Sequence, residues 1–143
     1  FRLHVNLEFA IYTGVRTLEH AAHVVGRVGR PNLSVLIDAL HFSRSGGLPV
    51  HVAKIDPALL RYAQICDASP DRPAPDDTPA LIREARTGRL LPGEGALPLK
   101  ELVAALPAGA PVAIEAPCRD TAHLPAVERA KRAYQSLTAL LAR

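Results

Sequence analysis

Apolar and polar residues alternate along four short stretches of the chain. In the first stretch Leu3, Val5 and Leu7 share one face, while Glu8 lies on the other. A period of two is typical of a β-strand, because successive side chains of a strand point to opposite sides. The alternation predicts four strands, at residues 3–9, 34–42, 62–68 and 111–117.

Each predicted strand is followed by a helical pattern, in which apolar residues recur every three or four positions. Asp56 and Pro57 are residue types that favour a helix start, and Pro98 opens a further helix. The last helix is predicted to carry one apolar stripe, formed by Val127, Ala130, Tyr134, Leu137 and Leu141. Strands that alternate with helices favour a parallel sheet with helical crossovers. The proline-rich segment 70–79 is interpreted as a loop, so residues 1–143 are predicted to form a single α/β domain.

Composition excludes several classes of protein. The net charge is only +3 and the aromatic residues are three tyrosines and three phenylalanines, whereas nucleic-acid binding favours a basic face with interleaved aromatics. No apolar run approaches the roughly 20 residues of a membrane span, and no signal-peptide pattern opens the sequence. Two cysteines make no disulfide framework, so a cytoplasmic location is expected. The sequence lacks methionine and begins on a strand pattern, so we expect it to be a piece of a longer protein.

An oxygen-bearing side chain lies on the less aliphatic face of every predicted strand, near its C-terminal end. These residues are Glu8, Asp38, Gln64 and Glu115. In a (β/α) barrel that face points inward, and the strand ends meet at the mouth where active sites form. Three carboxylates repel each other in a cavity, and a divalent cation with hard oxygen ligands, such as Mn, Mg or Co, removes the repulsion. The pattern therefore predicts a metal site, with Zn less expected because it prefers nitrogen or sulfur.

Residues around this predicted site have both functional and ordinary structural interpretations. An acid at the end of one strand is usually a helix cap or a solvated loop residue, although four at matched parity favour a shared site. His41 is interpreted as a substrate contact just outside the metal. Arg44, Arg86 and Arg89 are candidates for binding a substrate phosphate or carboxylate, or are solvated arginines. His4 is expected to be a hydrogen-bonded interior residue, and Cys66 a small core residue. Asp67 is expected to cap the loop that follows it.

Five segments occur in a characteristic order and spacing: "NLEF", "LIDALHFSRSGG", "QICDA", "RLLPGEGALPLKELVAALP" and "VAIEAP". Together they resemble the sugar phosphate isomerase/epimerase family with the xylose isomerase-like TIM barrel. The resemblance implies a (β/α)8 barrel of which this chain covers about the last four β/α units. It implies that the first half is absent, so that the partner is the missing N-terminal half or a second copy. It also implies that Glu8, Asp38 and Glu115 bind the metal and that His41 contacts substrate.

The chemistry implied by the resemblance is proton abstraction next to the carbonyl of a sugar or sugar phosphate, through an enediolate. Glu8 and Glu115 are the candidate acid and base. Gln64 is a departure, because many members have a histidine ligand on that strand, and some relatives that dehydrate 3-dehydroshikimate resemble the glutamine pattern. An isomerase or epimerase, a dehydratase and a truncated non-catalytic half-barrel therefore remain open. Phosphodiester cleavage at damaged DNA would require a richer histidine and carboxylate cluster and a basic groove, which the sequence does not show.

Overall fold

The structure, a computed structural model, describes residues 3–142. Within that range four parallel strands form one sheet in sequential order: β1 (Val5–Glu8), β2 (Leu33–Asp38), β3 (Leu60–Ile65) and β4 (Val112–Ile114). The helices are α1 (Leu18–Val28), α2 (Ala39–Arg44), α3 (Pro49–Val52), α4 (Thr78–Thr87), α5 (Leu99–Ala105) and α6 (Ala126–Leu141). Single turns of 3-10 helix cover Pro57–Leu59 and Arg119–Thr121. The predicted α/β class and the sequential parallel sheet are confirmed.

One face of the sheet forms the hydrophobic core. Ile37 and Ile65 are fully buried there, and they pack in one cluster with side chains from α1, α3 and α5. Burial of aliphatic side chains of this size contributes about 1.5–3 kcal/mol each. The helices are thereby held against one side of the sheet, which leaves the polar positions of the strands on the other side.

The opposite face of the sheet is polar. Ser34 is fully buried on this face, and its hydroxyl donates to Asn6 Oδ1 at 2.6 Å. Since a hydroxyl has one proton, His4 Nε2, at 2.9 Å from Ser34 Oγ, is the donor in the second hydrogen bond. The expected hydrogen bond of His4 is present, but His4 is exposed, so its predicted interior position is wrong. In the register of the sheet Asp38 lies beside Gln64, so both residues face the polar side, as their parity predicts.

The second strand ends earlier than predicted. β2 stops at Asp38 and residues 39–44 form α2, so the strand prediction for 39–42 is wrong. Asp38 is the N-cap of this helix, and its Oδ1 accepts a hydrogen bond from the backbone N–H of His41 at 2.9 Å. A side-chain oxygen that satisfies a free N–H is the usual reason for a helix to start. His41 is therefore placed by a helical turn and not by a strand.

Two other helical predictions are corrected. Asp56 does cap Ala58 N, but the segment it opens is a single 3-10 turn because β3 begins at Leu60. The polar stretch interpreted as a loop contains α4, which starts at Thr78 behind the N-cap Asp77.

The apolar stripe predicted on the last helix is mostly uncovered. Val127 and Tyr134 are 82% and 70% exposed, while Leu137 and Leu140 pack on the core. Within residues 3–142 no helix is both long enough and apolar enough to cross a membrane.

Candidate metal and acid–base site

Asp38 is the buried centre of the candidate site. Its side chain is fully buried at the carboxyl end of β2. One carboxylate oxygen, Oδ1, accepts from the N–H of His41, and the other, Oδ2, lies 2.5 Å from Arg89 Nη1. Both oxygens of Asp38 are thus hydrogen-bonded. This matches the rule that a buried charge is retained only when it is paired.

His41 lies between Asp38, Glu8 and the guanidinium of Arg89. Its Nε2 is 3.7 Å from Glu8 Oε1 and 3.4 Å from Arg89 Nη2, and the ring of Tyr12 packs edge-on against it with centroids 5.7 Å apart. Burial lowers the pKa of His41 below its usual value. Arg89 can only donate, so its contact with Nε2 also favours a neutral imidazole. The contact with Glu8 is therefore not an ion pair.

The atoms of this group fit a divalent metal ion. One ligand atom each from Glu8, Asp38 and His41 lie within 4.8 Å of one another. Two carboxylate oxygens and a neutral imidazole nitrogen are donors that divalent cations accept. Partial burial, followed by the nearby charges of Asp38 and Glu115, raises the pKa of Glu8. A bound cation would relieve this electrostatic cost.

Glu115 joins the group through Arg89. It directly follows β4, and its carboxylate Oε2 lies 3.3 Å from Arg89 Nη1, which also donates to the backbone carbonyl of Glu115 at 3.0 Å. Burial and the carboxylate of Asp38 raise the pKa of Glu115, although Arg89 opposes this effect. For Arg89 itself, burial would lower the pKa, but Asp38, Cys66 and Glu115 together outweigh burial and raise it. Arg89 is thus a permanent cation among three acids.

The structure places the four predicted ligands at one edge of the sheet, but only some of them are in direct proximity. Glu8 and Asp38 meet directly, Glu115 meets Asp38 across Arg89, and Gln64 lies in register with Asp38 on the same face of the sheet. Within residues 3–142 the side chain of Gln64 makes no hydrogen bond. His41, interpreted from the sequence as a substrate contact, supplies the third clustered donor.

The three predicted anion-binding arginines have different environments. Arg44 is buried and forms a bidentate ion pair with Glu84, at 2.9 and 2.5 Å, while it also donates to Ser69 O. This pair ties α2 to α4, so a structural role accounts for Arg44. Arg89 is 4% exposed inside the acidic cluster, whereas Arg86 is exposed in the last turn of α4.

A buried aspartate shapes the loop that delivers Arg89. Asp67 Oδ1 accepts a hydrogen bond from Leu97 N at 2.9 Å, and Oδ2 accepts one from Gly93 N at 3.0 Å. One carboxylate therefore binds the backbone on both sides of the turn that contains "PGEG". Gly93 has a left-handed φ of 89°, and at Gly95 a Cβ would clash with the backbone carbonyl of Ala68. Asp67 Oδ1 also accepts from Ala68 N at 2.9 Å, so Asp67 caps the start of the loop that directly follows it, as expected.

Sequence reasoning missed two residues that complete these contacts. Tyr12 lies in a turn after β1, and Glu84 lies on a helix that was interpreted as a loop. Neither residue belongs to a periodic pattern of apolar and polar positions, because Tyr12 is isolated in a turn and Glu84 is one acid in a polar segment. Their partners, His41 and Arg44, are distant in sequence.

A parallel sheet with acids and a histidine at the carboxyl ends of its strands is typical of (β/α)-barrel proteins. The chain belongs to the xylose isomerase-like TIM barrel family, whose pattern matches residues 4–140. This family includes sugar phosphate isomerases and epimerases. A search of curated proteins gives no significant match.

Solved structures show the same fold. The IOLI protein, determined with a binding zinc atom, is 24% identical with a TM-score of 0.82, over 96% of this chain and 48% of that one. A xylose isomerase domain protein from Alicyclobacillus acidocaldarius is 27% identical with a TM-score of 0.67, over 97% and 50%. A fusion of a xylose isomerase-like TIM barrel with 4-hydroxyphenylpyruvate dioxygenase is 22% identical with a TM-score of 0.81, over 96% and 22%. The chain spans half or less of the length of each of these proteins.

Proposed function

We propose that the chain carries the metal and acid–base residues of a divalent-metal-dependent isomerase or epimerase acting on a sugar or sugar phosphate. The observation that carries the proposal is the clustering of Glu8, Asp38 and His41 at the carboxyl edge of the sheet. Membership of a family that includes such enzymes supports it, and so does the zinc atom of the IOLI protein. The carboxylate donors favour Mn, Mg or Co.

Glu8 and Glu115 are proposed to transfer the protons. Both side chains are partly exposed, so a substrate reaches them. Burial raises the pKa of each above its usual value, which favours uptake of a proton by the carboxylate. One carboxylate removes the proton next to the substrate carbonyl and the other returns it on the opposite face. A divalent ion, when bound, supplies a Lewis acid that stabilises the enediolate. Neutral His41 would complete the ligand set of that ion, and Arg89 keeps Asp38 and Glu115 in place.

A second candidate function is dehydration of a 3-dehydroshikimate-like substrate. Gln64 favours it, because this amide stands in register with Asp38 where many family members place a histidine. In that reaction the same enolate expels a β-hydroxyl instead of accepting a proton. A non-catalytic half-barrel is a third candidate, favoured by the length of the chain relative to the solved structures.

We also propose that the sheet pairs with another four-stranded unit, either the first half of a barrel or a second copy of this chain. The order β1-β2-β3-β4 leaves one side of β1 and one side of β4 unpaired within residues 3–142. Open edges of this kind associate readily. Apolar side chains are exposed near both: Val5 at β1, and Val127 and Tyr134 on the helix that follows β4.

Metal titration by calorimetry tests the site. Glu8→Gln should weaken binding of Mn at least about tenfold, since even the loss of a residue that supports a ligand costs 10–100-fold. Gln64→His should tighten it, because imidazole is the better donor. Glu101→Gln, an equal charge change on an exposed face of α5, is the matched control. If Glu8→Gln binds Mn as tightly as the parent, the site is misassigned.

The reaction is tested by incubating the metal-loaded chain in heavy water with a panel of ketoses, sugar phosphates and cyclic β-hydroxy ketones. Isomerisation or epimerisation incorporates deuterium next to the carbonyl, whereas dehydration produces a conjugated product that absorbs in the ultraviolet. Glu115→Gln should abolish either signal while it only weakens metal binding. Neither signal with any substrate, alone or with a complementing half-barrel, would favour the non-catalytic candidate.

A further inference from the structure

A second cavity lies beside the acidic cluster, between the end of α4 and the start of α6. It has a volume of about 460 Å³. Arg86, Arg119 and Arg129 line it, together with apolar residues such as Leu91, Ala116 and Ala130. The cavity therefore combines cationic and non-polar lining residues.

The charges of this cavity are uncompensated. No aspartate or glutamate lines it, and within residues 3–142 none of Arg86, Arg119 and Arg129 forms an ion pair with a carboxylate. Arg44, Arg89 and Arg132 do form such pairs, whereas the other arginines within residues 3–142 do not. Three guanidinium groups around one space repel each other unless an anion lies between them.

The position of Arg129 makes a purely stabilising role less favourable. It lies in the first turn of α6, where the positive end of the helix dipole disfavours a cation. Arg132, one turn further along, is paired with Glu128 at 2.8 Å. The first turn of α6 thus places the unpaired guanidinium of Arg129 at the cavity. This position is unfavourable for the stability of the helix but suitable for binding an anionic ligand.

The cavity shares its wall with the candidate site. Leu91 follows Arg89 by two residues and Ala116 directly follows Glu115. An antiparallel bridge between Gly88 and Cys118 holds the two wall segments together. A ligand in this cavity would therefore lie against the backbone segments that carry Arg89 and Glu115.

We propose that this cavity binds a small organic anion, a carboxylate or phosphate group attached to a compact apolar body. The guanidinium groups bind the anionic oxygens, for which arginine forks are well matched. The apolar lining residues accommodate the body of the ligand. This site goes beyond the proposed function, because it needs neither a metal ion nor the carboxylates Glu8 and Asp38.

The test is calorimetric titration of the whole chain in EDTA with benzoate, phenyl phosphate and the neutral analogue benzyl alcohol. We expect at least one anion to bind at least about tenfold more tightly than the neutral analogue, and the tighter anion identifies the preferred group. The double variant Arg119→Gln/Arg129→Gln should lose about tenfold or more of that affinity, as expected for charge-assisted hydrogen bonds. Arg30→Gln, an exposed arginine outside the cavity, is the control and should bind as the parent does.

Absence of anion binding, or equal binding by the double variant and the parent, would overturn the proposal. The three arginines are on the surface, so the variants should fold, and their melting temperatures check this. Metal titration of the double variant separates this inference from the proposed function. If Mn binds the double variant as it binds the parent while benzoate and phenyl phosphate do not, the cavity and the metal site are independent.

Discussion

The buried ion pair between Asp38 and Arg89 offers the sharpest quantitative test of the site. The two side chains are 0% and 4% exposed, and their atoms are 2.5 Å apart. Removing one partner leaves an uncompensated buried charge, which costs about 3–5 kcal/mol. That is a large share of the roughly 5–15 kcal/mol typical of a whole domain. Arg89→Met and Asp38→Asn should therefore each lower the free energy of unfolding by about this amount.

The double variant should recover much of the loss. A buried ion pair replaced by neutral groups of similar size is often close to neutral in stability, because no charge remains to be desolvated. The amide oxygen introduced by Asp38→Asn would still cap the N–H of His41. We expect the double variant to lose markedly less free energy of unfolding than the two single variants lose in sum. Such non-additivity is the signature of direct coupling between two residues.

The assay is urea unfolding followed by circular dichroism, in EDTA at neutral pH. Arg132→Met, which breaks an exposed pair with Glu128, is the control and should cost less than about 1 kcal/mol. In a parallel series without EDTA, added Mn should stabilise Arg89→Met more than the parent, because the guanidinium and the metal ion compete for the carboxylate of Asp38. Strictly additive single effects, or a loss of less than about 1 kcal/mol for Arg89→Met, would refute the reasoning.

Three further outcomes are expected. Burial raises the pKa of the Cys66 thiol to about 12. Iodoacetamide at about pH 8 should therefore label the partly exposed Cys118 and spare Cys66 until urea is added. Labelling of both cysteines in the folded protein would contradict this. The raised pKa of Glu8 means that protons compete with metal above its usual value of 4.5. Affinity for Mn should therefore begin to fall above pH 4.5 as the pH is lowered, and an unchanged calorimetric affinity would count against Glu8 as a ligand. Light scattering should show a dimer or larger species because of the open sheet edges, and a monodisperse monomer would contradict pairing with a second copy of this chain.

The sequence by itself determined the class of the fold and the side of the sheet on which each acid lies. Alternation is a local property, since each residue of a strand points opposite to its neighbours whatever the rest of the chain does. Asp38 and Gln64 therefore face the same side in the structure as their parity predicts. The helix at Pro98 was likewise predicted from residues that are adjacent in the chain.

Only the tertiary structure decided where β2 ends and what the arginines do. Asp38 stops the strand because its carboxylate caps the next turn, and the same carboxylate is held by Arg89, 51 residues later in the chain. Arg44 is held by Glu84 across 40 residues. Contacts over such distances leave no periodic trace in the sequence, because they depend on how the loops after the strands fold over the edge of the sheet. For that reason His41 joins the candidate ligands, and Arg44 becomes a link between two helices.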